Sequence, residues 1–201
     1  VFQLHPQPLD HTEAHPPRQA LTRVLQPRYI RFLVIVFLAF FSMYLPQPLS
    51  PNFLTNVRGV DLAQVGQLLS WRSVGIVVLN LTVGRLNARY GFVLAQAGMA
   101  AFAALLWQGT GMPWYTAAYL LLGSYFTARS LAAAQARSLV EAGNMGMAFG
   151  LLETASVLAI MLAPPLAGVL YKTNPTSVYT VALAGVGISI LLSVLWMPVK
   201  T

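Results

Sequence analysis

Six apolar stretches of membrane-crossing length, separated by short turns rich in Gly, Pro and Arg, constrain this chain more than any other feature. They fall near residues 30 to 50, 64 to 86, 92 to 109, 113 to 134, 147 to 170 and 177 to 197. A bilayer core of roughly 30 Å is crossed by about 20 apolar residues in a helix, so each stretch is long enough to span one. The chain is 57% hydrophobic and only 8% charged, with a mean hydropathy of +0.65, which leaves too little polar surface to cover a water-soluble globule. Transmembrane β-strands would be about 10 residues long and alternate in polarity, a pattern absent from this sequence. The fold class expected is an all-α integral membrane protein with six transmembrane helices.

The net charge of +7 is explained by where the cations sit, without any need for nucleic acid. Arg18, Arg23, Arg28, Arg31, Arg85, Arg89, Arg137 and Lys200 fall on one side of the expected spans, and Arg58 and Lys172 on the other, with Arg72 and Arg129 inside spans. Short cytoplasmic loops carry an excess of Lys and Arg, so eight against two puts both termini in the cytoplasm of a multi-pass protein of the plasma (inner) membrane. An even number of spans agrees.

Residues 1 to 28 hold Pro6, Pro8, Pro16, Pro17 and Pro27 and all three histidines, His5, His11 and His15. That composition reads as a cytosolic linker, and residues 29 to 201 as the six-helix bundle. The histidines are too scattered for a firm metal site, no cofactor is implied, and no histidine lies in the membrane. With no cysteine, thiolate chemistry and disulfides are excluded. The first residue is Val1 rather than Met, which suggests a missing upstream segment.

Pro46, Pro48 and Pro51 should stop or kink the first span near its outer end, which suits either a gate or an ordinary helix terminus. Trp107, Trp114 and Tyr115 mark the outer interface of the hairpin joining spans three and four, and Trp196 marks the inner one. In lipid every helix face is apolar, so small and polar residues carry the pattern. Gly66, Ser70, Ser73, Asn80 and Gly84 share one face of span two. Gly143, Gly146, Gly150, Glu153, Pro164 and Gly168 share one of span five. Both seams are expected to pack against other helices.

A charge at membrane depth is costly unless paired or wet, so Arg72, Arg129 and Glu153 are the functional candidates. At about 1.5 Å per residue, Arg129 lies roughly 24 Å from the outer end of span four and Glu153 roughly 9 Å from the inner end of span five. Both fall in the inner third, where they can pair, either as a static structural bridge or as an inner gate. Tyr115, Tyr119 and Tyr125 lie near Arg129 around the same helix, as a cavity wall would offer them. Arg72 has no acid at matching depth, so its partner is an anionic substrate, water, a carboxylate on another half, or the outer surface reached by snorkelling.

The turn Gly84-Arg85-Leu86-Asn87-Ala88-Arg89-Tyr90-Gly91 is similar to the G-x-L-x-D-R-x-G signature of the major facilitator superfamily. Gly84, Leu86, Arg89 and Gly91 match, while Ala88 replaces the acid and Phe92-Val93 the following basic pair. Such erosion is usual in the second repeat of the family. The run from Gly146 to Tyr171 resembles its eleventh helix, glycine-rich at the start, with Pro164 and Pro165 toward the outer end. The chain therefore resembles the C-terminal six-helix half of such a transporter. That resemblance implies alternating access to a small-molecule substrate, as drug or metabolite efflux or another route and with proton coupling open. It also implies a partner, either a missing N-terminal half or a second copy. Spans one and four would line the cavity, spans two and five would meet the partner half, and spans three and six would face lipid.

By the same resemblance, Arg129, Tyr125, Tyr119, Arg72 and Asn80 are candidates for substrate binding, and Glu153, Arg129, Pro164 and Pro165 for coupling or gating. Gly84, Leu86, Arg89 and Gly91 form the inner-loop motif. An intramembrane enzyme would need an activated Ser with a His, or paired Asp residues, at membrane depth, and the sequence has neither. The alternative is a non-transporting six-span receptor or assembly protein derived from a transporter half.

Overall fold

The computed structural model describes residues 24–198, so the histidines and most of the Pro-rich head lie outside the described residues. Every regular element among the described residues is helical. In chain order they are α1 (Pro27–Tyr44), α2 (Ser50–Asn56), α3 (Leu62–Thr82), α4 (Ala88–Gln108), α5 (Met112–Leu122), α6 (Ser124–Leu139), α7 (Met145–Thr173) and α8 (Ser177–Trp196).

Local chemistry fixes their ends. Pro27 opens α1, where its missing N–H costs nothing, and α1 stops at Tyr44 two residues before Pro46. The expected first span is thus shorter than 30 to 50 at its far end, and the remaining residues turn into the short α2. Asp61 caps α3, accepting from the Ala63 N–H at 3.0 Å while the Gln64 amide oxygen accepts from the Asp61 N–H at 3.3 Å. Asn87 accepts from the Arg89 N–H at 3.1 Å, so α4 starts four residues before the expected 92. The tight turn into α5 is made by Gly111 at φ +94, a left-handed backbone that glycine adopts without strain.

Among the described residues, five helices are long and apolar enough to cross a membrane: α1, α3 with its terminal 3₁₀ turn, α4, α7 with the 3₁₀ turn before it, and α8. The expected fourth span is divided between α5 and α6. Gly123, at φ −57 and ψ −24, keeps a helical backbone between them. α7 runs for 29 residues straight through Pro164 and Pro165, which removes two intrahelical donors within a single helix.

In the bundle, α1 packs against α7 and α8, α4 against α5, α6 and α8, and α3 chiefly against α5. Aromatic rings fill the centre: Phe40 meets Phe92 and Tyr125 edge-on at 6.2 and 5.8 Å, and Phe53 meets Tyr179 at 4.8 Å. Helices approach closest where side chains are smallest. A Cβ at Gly75 would overlap the Leu120 backbone, and one at Gly123 would overlap the Gly75–Ile76 peptide, so α3 and the α5–α6 junction touch backbone to backbone.

The outer surface is apolar. Leu62, Leu191, Leu195, Val169 and Trp196 are all exposed, which suits contact with lipid rather than water.

Neither expected small-residue seam packs inside the described bundle. Gly66, Gly143, Gly146, Gly150 and Gly168 have open space beyond them. The face of α7 that packs on α1 is instead Ala148, Leu152, Ser156, Ala159, Ala163 and Ala167. Alanine lets backbones approach much as glycine does, but among apolar neighbours it leaves no mark in the sequence.

Candidate functional site

α6 is flanked by α3 on one side and α7 on the other, packing against both, and the residues of interest lie along this three-helix face. On the α7 side an Arg129 Nη2 donates to Glu153 Oε2 at 2.7 Å, the pairing expected from their depths. It is the one salt bridge among the described residues. The side chains are 33% and 58% accessible, so the pair is open on one flank and not sealed in the core. Where water reaches such a pair the attraction weakens enough to be broken and remade.

On the α3 side the Arg72 guanidinium lies over the ring of Phe126, with Cζ 5.9 Å from the centroid. Phe126 and Arg129 are three residues apart on α6 and so neighbours on its surface. Arg72 Nε is buried with no hydrogen-bond partner among the described residues, and no acid pairs with it there. The ring thus supplies part of what a counter-charge would. Asn80 is half-buried further along α3, its amide oxygen beside Gly84.

The tyrosines are placed otherwise than the sequence suggested. Tyr115, Tyr119 and Tyr125 are all buried, packed between helices and not exposed on a cavity wall. Tyr119 lies with its hydroxyl 3.3 Å from that of Ser50. Tyr125 is wedged between Phe40, Tyr44 and Phe126, its hydroxyl unpartnered among the described residues. The physical reason is that neighbouring helices cover what a single-helix view leaves open: Phe40 and Tyr44 of α1 lie on Tyr125, and Phe102 of α4 meets Tyr119 edge-on at 6.1 Å. Tyr115 is buried beside Trp114, which is exposed.

The inner-loop motif is well defined. Gly84 lies in the 3₁₀ turn Val83–Arg85, Leu86 is exposed, and Gly91 is buried against Leu131. Arg89 donates to the Val194 carbonyl at the end of α8, one of the terminal carbonyls that a helix leaves without an internal partner. Pro164 is half-buried and Pro165 exposed on α7.

Sequence reasoning missed a buried polar cluster. Ser189 donates to the Gln96 amide oxygen at 2.6 Å and the Gln96 amide nitrogen donates to Ser193 at 2.9 Å, tying α4 to α8. Tyr29 donates to the Ala148 carbonyl at 2.7 Å and ties α1 to α7. The signal was the lone amide of Gln96 within an apolar run, in the same class of polar residue at depth as the charges that were singled out.

Residues 32–201 match the family model of the Major Facilitator Superfamily. No curated protein matches the chain.

Proposed function

Because this chain belongs to the Major Facilitator Superfamily, we propose that it forms the C-terminal six-helix half of an alternating-access transporter for a small molecule, with the Arg129–Glu153 pair as its gate. Members of the family are transporters and not enzymes. The supporting observation is the pair itself. It joins α6 to α7 at 2.7 Å while more than half of the Glu153 side chain stays accessible, so it can open without unpacking the core. In this reading α5 and α6 together make the fourth crossing in chain order, which brings the total to six, and both termini lie in the cytoplasm, supported by the arginine-rich turns.

Substrate would meet the α3–α6–α7 face, where Arg72 and Arg129 favour an anionic or polar group. Asn80 stands further along the same wall, and Tyr119 and Tyr125 support it from behind. Glu153 would exchange its partnership with Arg129 for a proton or for contact with the second half, and Pro164 and Pro165 leave α7 free to bend above it. The second half, whether an N-terminal bundle or another copy, closes the other side of the path.

Uptake or efflux measured in cells expressing the full protein tests this. Arg129→Ala and Glu153→Gln should each lower transport by about tenfold, within the usual range for lost coupling between sites. The double reversal Arg129→Glu with Glu153→Arg should recover part of it. Full transport in both single variants would show that the pair is only a brace.

A further inference from the structure

A second feature lies outside the transport face, on the opposite flank of the motif turn. Between the start of α4 and the end of α8 runs a groove of about 520 Å³, lined by Arg89, Tyr90, Val93, Leu94, Ala97 and Val194 among others. Its α4 residues recur three or four apart, so they form one strip roughly 12 Å long from Arg89 to Ala97. The strip is apolar except at its Arg89 end. Tyr90, Leu94 and Ala97 are exposed, as are Val194, Leu195 and Trp196 on α8. The groove thus opens onto the apolar outer surface and not toward the α3–α6–α7 face.

We infer that this groove is a binding site for an anionic membrane phospholipid, its acyl chain along the Val93–Leu94–Ala97 strip and its phosphate at Arg89. Charge complementarity selects the occupant, because an apolar groove ending in a cation matches an acyl chain ending in an anion. Depth agrees: Tyr90 and Trp196, both exposed at the same end, are the amphipathic rings that favour the headgroup level. Arg89 spends one donor on the Val194 carbonyl, which fixes the guanidinium at the groove mouth and leaves other N–H donors for phosphate oxygens. Basic pockets between membrane helices are the recurrent setting for anionic headgroups. Arg89 would then serve as a helix cap and a lipid anchor together, an arrangement independent of the gate.

The test is native mass spectrometry of the detergent-purified chain with added phosphatidylglycerol or phosphatidylcholine. Wild-type protein is expected to retain phosphatidylglycerol several-fold better. Arg89→Ala should bring the two lipids close to parity. Should Arg89→Ala unfold through loss of the cap, Ala97→Trp fills the exposed groove floor while keeping Arg89, and it should lose retention of phosphatidylglycerol. Arg137→Ala removes a cation elsewhere at this end of the bundle and should keep the preference. Equal retention of both lipids by wild type would overturn the inference. So would loss of preference in Arg137→Ala matching that in Arg89→Ala, unchanged preference in Arg89→Ala or Ala97→Trp, or displacement of the lipid by inorganic phosphate alone.

Discussion

Polar side chains in this bundle divide into those that hold it together and those that stay accessible. Gln96, Ser189 and Ser193 are fully buried and mutually bonded, whereas Arg129 and Glu153 bond each other and remain open. Loss of Gln96 should be mild, because Ser189 and Ser193 can still donate to the Val186 and Ser189 carbonyls of their own helix at 2.9 and 2.7 Å. Hydrogen bonds between membrane helices average about 0.6 kcal/mol, so Gln96→Leu should cost about 1 kcal/mol of stability and leave transport intact. Thermal unfolding in detergent and a transport assay together check it. The same removal at Glu153 should spare stability and lower transport by about tenfold.

At the scale of helices, the crossing of α3 over the α5–α6 junction is the least forgiving contact. Gly75 and Gly123 bring two backbones together with no side chain between them, so Gly75→Val must push the helices apart. Such overpacking costs about 1–3 kcal/mol, and a lowered melting temperature should report it, while Gly66→Val, pointing into open space, should leave stability unchanged. Much of this level was legible in the sequence. Apolar length gave the helices, Pro46 ended the first, and depth arithmetic paired Arg129 with Glu153. The crossing glycines were not legible, because Gly75 and Gly123 stand among many small residues and only the neighbouring helix tells which ones touch. For the same reason Tyr119 and Tyr125 read as wall residues: their spacing along the span says nothing of Phe102 lying on the one and Phe40 and Tyr44 on the other.

Taken whole, the bundle is unevenly covered. Within their most apolar windows, α1 and α4 are each 44% buried, whereas α3 is 17% and α7 22% buried. The two helices expected to meet a partner half are thus the two this chain leaves most open, and they flank the face that carries Arg72, Arg129 and Glu153. That arrangement supports a path closed by a second bundle and alternately opened at either end. The most direct test uses the absence of cysteine from this chain: Ser130→Cys, exposed on α6 next to Arg129, becomes the reporter for a membrane-impermeant maleimide applied to vesicles holding the full protein, any cysteine outside this chain being replaced first. If the ion pair gates access, adding Glu153→Gln should change the labelling rate several-fold. An identical rate with and without Glu153→Gln would contradict the gate.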